Sequence, residues 1–253
     1  MTKINTHQLS APEKLLWKLG ITAPNEIDLE AIAYHLGAIV RYRTLDGGDA
    51  RIVGDGSRAI ITINASTPKP RQRFSIGHEV AHWCCDRGRG GFLCSKEDTS
   101  PQNCAAKSIE ANANAFASMI LLPDYLFKPR TAKQPITLDT ASKLAQGFQA
   151  SLTATAIKLV RASTSPAIVI CHSQTKCEWF ITNSAFPHEF WPQDELHQDT
   201  DAFELIFGSG NGMTRAKNTS GALWFNRRDA NQFQMLSQST KLPDGTVLST
   251  ISL

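Results

Sequence analysis

Two histidines bracket a glutamate in His78-Glu79-Val80-Ala81-His82, and this short run constrains the chain more than any other feature. On an α-helix, residues four apart lie one above the other on the same face, so both imidazoles can reach one point. Zinc bound at such a point takes ring nitrogens at about 2.0–2.1 Å. Glu79 sits about 100° further round the helix. Its carboxylate then lies beside an open coordination position, where it can take a proton from a water whose pKa the metal lowers to about 7. Such a site requires a buried helix and a second element, because catalytic zinc usually has three protein ligands and one open place.

The segment RQRFSIGHEVAHWCCDR, residues 71–87, meets the first requirement. It follows Pro68 and Pro70, and its apolar positions Phe74, Val80, Ala81, Trp83 and Cys84 predict a mostly buried helix. No third histidine follows at helical spacing, since the residues after His82 are Trp83, Cys84 and Cys85. The second requirement falls to Glu110, near the start of a helix predicted from about Ala105 to Leu122 and ended by Pro123. Ile109, Ala113, Phe116, Ala117 and Ile120 form its apolar face, and an intervening loop lets it return antiparallel beside the first helix. Asn114 lies one turn beyond Glu110. There it can accept a hydrogen bond from the far ring nitrogen of His78 or His82, which would fix that ligand's tautomer.

The remaining sequence supplies a frame. Residues 10–20 and 28–37 read as helices, with Ser10 and Asp28 as caps and Gly20 and Gly37 as stops. AIVRYRTL, ARIVGDG and RAIITINAS read as three strands with turns at Asp46-Gly47-Gly48 and Asp55-Gly56. The third, Arg58 to Ser66, is the most regular and is expected to form an edge along which a substrate backbone could lie. Gly88 to Gly91 reads as a loop, and residues 95–103 as irregular. Two short helices are predicted within residues 131–163, capped by Thr137 or Asp139 and by Ser151. They look like a helix-turn-helix, but few lysines or arginines are present to meet phosphates, which argues against direct nucleic-acid binding. After residue 164, PAIVICHS, KCEWFITNS and GALWFNRR read as strands, and residues 194–202 as an acidic loop or helix start.

The formal net charge of +3 excludes a strongly basic nucleic-acid-binding chain. Lys69, Arg71 and Arg73, and then Arg87 and Arg89, read as solvated basic spots. No stretch approaches the roughly 18 apolar residues that span a bilayer. The opening MTKINTHQLSAPEK lacks the basic-then-apolar pattern of a secretory signal, so a cytoplasmic location is expected. In that reducing compartment the six cysteines read as thiols. Cys84, Cys85, Cys94 and Cys104 form no C-x-x-C pair and are expected to be buried.

RQRFSIGHEVAHW followed by EANANAFASMILLP resembles the ImmA/IrrE family of zinc metallopeptidases. Members show H-E-x-x-H after an R-F-x-x-A/G stretch, then E-x-x-A-N-x-F-A-x-x-L-L-x-P; here the second element runs from Glu110 through Ala113, Asn114, Phe116 and Ala117 to Pro123. The resemblance spans roughly residues 10–163. It implies Zn2+ held by His78, His82 and Glu110, with Glu79 as general base. It also implies an endopeptidase whose protein substrate is a helix-turn-helix transcriptional repressor, in stress response or mobile-element and phage control. The expected architecture is α+β: a zincin-like, gluzincin-type helical core with a small twisted β-sheet in residues 1–130, a helical linker in 131–164, and a small α+β module in 165–253 for sensing or substrate docking. The rival reading is a non-catalytic regulatory protein that uses the same fold to bind a repressor or an antitoxin-like partner.

Overall fold

A computed structural model describes residues 5–85, 92–94 and 108–253. The readings placed on Arg87 and Arg89, Gly88–Gly91, residues 95–103, Cys104 and the helix start at Ala105 lie outside these residues, as does the side chain of Cys94. The described chain is mixed α+β, with two small sheets and eight α-helices among the described residues. It divides into two compact units: residues 1–129 with 146–151, and residues 130–145 with 152–253.

The first unit opens with α1 (Ala11–Lys18) and α2 (Leu29–His35). Glu13 accepts hydrogen bonds from the N–H and hydroxyl of Ser10, which closes the first turn of α1. The Asp28 carboxylate accepts from the N–H groups of Glu30 and Ala31 at the start of α2. Strands β1 (Ala38–Arg43), β2 (Ala50–Gly54), β3 (Ala59–Asn64) and β4 (Phe92–Cys94) form a sheet in the order β1-β3-β2-β4. β3 runs parallel to β1 and antiparallel to β2.

This order corrects the expectation that Arg58 to Ser66 forms a substrate-binding edge. β3 lies between β1 and β2, and both sides of its backbone are used in ladders. Its regular Val/Ile-type pattern belongs to a strand buried in the middle of a sheet. Ile52, Ile61 and Ile63 cover the inner face, against which α3 (Lys69–Cys85) packs.

α3 is 17 residues long, and everything from Ser75 to Trp83 is buried. Its ends are pinned. Near the start, the Arg71 guanidinium meets the buried Asp49 carboxylate at 2.6 Å. Near the end, Trp83 donates its indole N–H to the carbonyl of Leu36 at 2.7 Å. Cys84 and Cys85 follow this buried stretch and are exposed, contrary to the expected burial. Burial of α3 ends at Trp83, so the apolar reading extended one residue too far.

α4 (Ser108–Leu121) packs on α3, and its next turn leads directly into α5 (Asp124–Thr131), which the sequence reading did not separate. The approach of α3 to α4 centres on Gly77. A Cβ added there would meet Ile120 Cγ2 at 3.1 Å and Ala117 Cα at 3.4 Å. α5 supplies Phe127, which packs on Phe148 with ring centroids 5.6 Å apart.

Phe148 ends α6 (Leu138–Phe148), which is followed by α7 (Leu152–Ala162). The Thr137 hydroxyl accepts from the Thr140 N–H at the start of α6. In the second unit, β5 (Ala167–His172), β6 (Cys177–Thr182), β7 (Lys217–Ser220), β8 (Gln234–Lys241) and β9 (Val247–Ser252) build an antiparallel sheet in the order β6-β5-β9-β8-β7, with α8 (Asp201–Phe207) between β6 and β7 in the chain. α8 begins inside the acidic segment, where the Thr200 hydroxyl accepts from the Phe203 N–H. Ile168, Ile170, Phe186, Phe190, Leu205, Trp224, Phe225 and Met235 belong to one core.

GALWFNRR is not a strand. Gly221–Leu223 form a 3-10 turn, and Trp224 and Phe225 are both buried. Two successive inward side chains conflict with the alternation of a strand. The turn satisfies both, with the Trp224 indole donating to the Thr219 hydroxyl at 3.0 Å. β8 and β9 escaped the sequence reading because hydroxyls and amides are buried among their apolar residues: Ser237, Gln238, Ser239, Ser249 and Thr250 are buried beside Met235, Val247, Leu248 and Ile251. Gln238 accepts from the Asp139 N–H and donates to the Asp139 carboxylate, tying the first turn of α6 to β8.

The close approach at Gly77 predicts a graded response to side-chain size. Gly77→Ala should change stability by less than about 1 kcal/mol, since the gain in helix propensity offsets a tight methyl contact. Gly77→Val should lose about 1–3 kcal/mol through overpacking against Ile120 and Ala117. Urea unfolding measures both, and a Val variant as stable as the parent would show that the helices are not held together here.

Candidate metal centre

Helix α3 brings His78, Glu79 and His82 into the interior, where their exposures are 1%, 0% and 1%. α4 returns beside it and carries Glu110 and Asn114. The close contact at Gly77 sets the separation of the two helices, so the ligand pair on one and the carboxylate on the other lie at a common level.

The three ligand candidates converge. The Nε2 atoms of His78 and His82 are 3.0 Å apart. Glu110 places Oε2 3.2 Å from His78 Nε2 and Oε1 3.6 Å from His82 Nε2. One ligand atom from each of His78, His82 and Glu110 lies within 4.8 Å of the others. A tetrahedron built on zinc bonds of about 2.05 Å has edges of about 3.3 Å. The observed separations bracket that value.

Asn114 orients the set. Its side-chain oxygen lies 3.0 Å from His78 Nδ1 and accepts that ring's N–H. With the proton on Nδ1, the lone pair of Nε2 faces His82 and Glu110. Phe74 packs on the His78 ring, with centroids 6.4 Å apart. Glu110 Oε2 is buried and accepts no hydrogen bond. A buried carboxylate oxygen facing a ring nitrogen at 3.2 Å is a polar atom that a cation would satisfy. The donor set of two imidazoles and one carboxylate, with these spacings, therefore fits a divalent transition metal. The Glu110 side chain retains 21% exposure, so the centre has a side open to solvent.

Four of the sequence-nominated residues, His78, His82, Glu110 and Asn114, thus come together, and Glu79 is fully buried on the same helix as the histidines. The tyrosines that could have supplied a further hydroxyl do not join them. Tyr34 is exposed, Tyr42 donates to Glu30, and Tyr125 donates to the carbonyl of Ile21 at 2.8 Å. The sequence reading missed two supports of the ligand helix, the close approach at Gly77 and the Asp49–Arg71 pair, in which Arg71 meets a buried carboxylate and is not the solvated basic spot expected. Gly77 alone left a signal, as a small residue at the A/G position before the histidines. Asp49 lies in a loop, and nothing in its neighbourhood marks it as buried.

A family model, Peptidase M78 (IrrE N-terminal-like domain), matches residues 33–160, just over half of the chain. That span contains His78, Glu79, His82, Glu110 and Asn114. A solved structure described as a Mycobacterium tuberculosis transcriptional regulator superposes with a TM-score of 0.62. The alignment covers 96% of this chain and 75% of that one at 13% identity, a likeness that speaks to fold alone. No curated protein matches the sequence. Among the described residues, no helix is long and apolar enough to cross a membrane.

The hydrogen bond from His78 to Asn114 yields a measurable expectation. Asn114→Ala should leave the fold intact and weaken metal binding by about 10–100-fold, the usual cost of losing a partner that orients a ligand histidine. Competition with a chromophoric chelator reads this directly. Unchanged affinity would show that Asn114 does not orient the ligand.

Proposed function

The chain belongs to the Peptidase M78 (IrrE N-terminal-like) family, a metallopeptidase family, and from that premise we propose that it is a zinc-dependent endopeptidase with a zincin-like, gluzincin-type core in residues 1–130. The observation that carries this reading is the convergence of His78, His82 and Glu110, with Glu79 fully buried one position along the same helix. His78, His82 and Glu110 would hold the ion. Bound there, Zn2+ supplies Lewis acidity toward a peptide carbonyl and makes a water acidic near neutral pH.

The protein's own groups then divide the work. Asn114 keeps the His78 proton on Nδ1, so that Nε2 remains a donor to the metal. Glu79, buried between the two histidines in sequence, would take the proton of the attacking water and return it to the departing amine. Burial of His78, Glu79 and His82 limits the access of bulk water, and the partly exposed Glu110 marks the side from which a peptide would enter.

We assign the substrate to the class of helix-turn-helix transcriptional repressors, in stress response or mobile-element and phage control, and the protein to the cytoplasm. The family membership and the fold shared with a transcriptional regulator support this assignment. Residues 131–164 would serve as a helical linker, and residues 165–253 as a module for sensing or substrate docking. The rival is a regulator that binds a repressor or an antitoxin-like partner without cutting it. Glu79 distinguishes the two, since binding alone needs no general base.

Glu79→Gln is close to isosteric and should retain bound metal and partner affinity. Its rate of peptide-bond cleavage should fall by about 10²–10⁴-fold, the range expected for loss of general-base catalysis. Repressor inactivation that survives this change would exclude hydrolysis and leave the binding-protein reading.

A further inference from the structure

The four-stranded sheet has two faces, and α3 covers only one. On the other, the strand register aligns three aliphatic side chains in one row: Ile39 of β1 lies opposite Ile60 of β3, which lies opposite Val53 of β2. Their exposures are 46%, 38% and 61%. Side chains directly opposite on neighbouring strands lie about 4.5–5.5 Å apart at Cβ, so the row is one continuous apolar strip. The next row on the same face is Arg41–Thr62–Arg51, and Arg43 lies two residues beyond Arg41. All three arginines are exposed. None makes an ion pair among the described residues, and no carboxylate occupies a strand position of this face.

The geometry points to this face as a docking surface for an acidic segment of a partner protein. The segment would set aliphatic side chains on the Ile39–Ile60–Val53 strip and carboxylates against Arg41, Arg43 and Arg51. Aligned apolar residues beside unpaired guanidinium groups match the composition of binding surfaces, where arginine is enriched because it pairs with carboxylates in a bidentate manner. Charge complementarity selects the occupant. A second copy related by a two-fold axis would bring the same arginines toward one another. A nucleic acid would meet phosphate-binding groups but no aromatic platform for its bases, since the strip is aliphatic. The sheet separates this face from α3 and its histidines, so a segment bound here leaves the centre accessible. The inference concerns binding and does not depend on whether the metal centre hydrolyses peptides.

The test pans a random peptide display library against the full chain and against an Arg41→Glu/Arg51→Glu variant. Peptides retained by the parent should carry Asp or Glu beside Ile, Leu or Val, and should bind the variant at least about tenfold more weakly. Their binding should weaken as salt is raised. Peptides selected on the variant should carry Lys or Arg instead. Val53→Glu, which alters the apolar strip alone, should also weaken the parent's peptides, and thermal unfolding of each variant verifies that it is folded. Should the charge-reversed chain not fold, Arg41→Gln/Arg51→Gln takes its place with the same expected loss. Neutral or basic peptides, or peptides held equally by parent and variants, would overturn the proposal. So would a dimer in sedimentation that Val53→Glu dissolves, or a duplex DNA bound by the parent and released by the arginine variant.

Discussion

The structure of the first unit depends on how closely two helices approach. α3 carries the histidines and α4 the carboxylate, and neither helix can build a three-ligand centre alone. At Gly77 the backbone of α3 comes close enough to Ala117 and Ile120 that a side chain would intrude. That approach places Glu110 within 3.2 Å of one histidine and 3.6 Å of the other. The rest of the unit fixes α3 from outside. The Asp49 carboxylate holds its first turns, the Leu36 carbonyl holds Trp83 near its end, and the isoleucines of the sheet pack beneath it.

Burial and polarity are in tension at this centre. Two imidazoles and a glutamate are almost entirely removed from water, and a buried polar group is costly unless it is paired. Asn114 satisfies one ring nitrogen of His78 and so defines which way its lone pair faces. The remaining lone pairs point at one another, an arrangement that favours a cation between them. The same polar, water-poor surroundings make a carboxylate such as Glu79 useful as a proton carrier, because in such surroundings its position is set by the fold and solvent does little to relax it.

Much of the site could be read directly from the sequence, because its geometry is local. Helical spacing alone places His78 above His82, and a single turn relates Glu110 to Asn114. The supports were harder to see, because they are contacts between residues distant in sequence: Asp49 with Arg71, and Leu36 with Trp83. Strand order was likewise hidden. The regular pattern of Ala59–Asn64 announces a buried strand but says nothing of which strands flank it, so β3 was expected at an edge and lies in the middle. In the second unit, the signals themselves misled. The run around Trp224 and Phe225 is apolar because it is a buried turn, and the real strands β8 and β9 bury serine, threonine and glutamine among their apolar residues. Hydropathy alternation finds strands with one apolar and one polar face, and these have polar groups buried on both.

The account stands on His78, His82 and Glu110 acting together on one ion. Elemental analysis of the purified chain, beside His78→Ala and Glu110→Ala, tests it most directly. About one equivalent of zinc in the parent, lost or much weakened in both variants, is the predicted result. A chain that takes up no metal when zinc is supplied, or variants that hold as much as the parent, would contradict it.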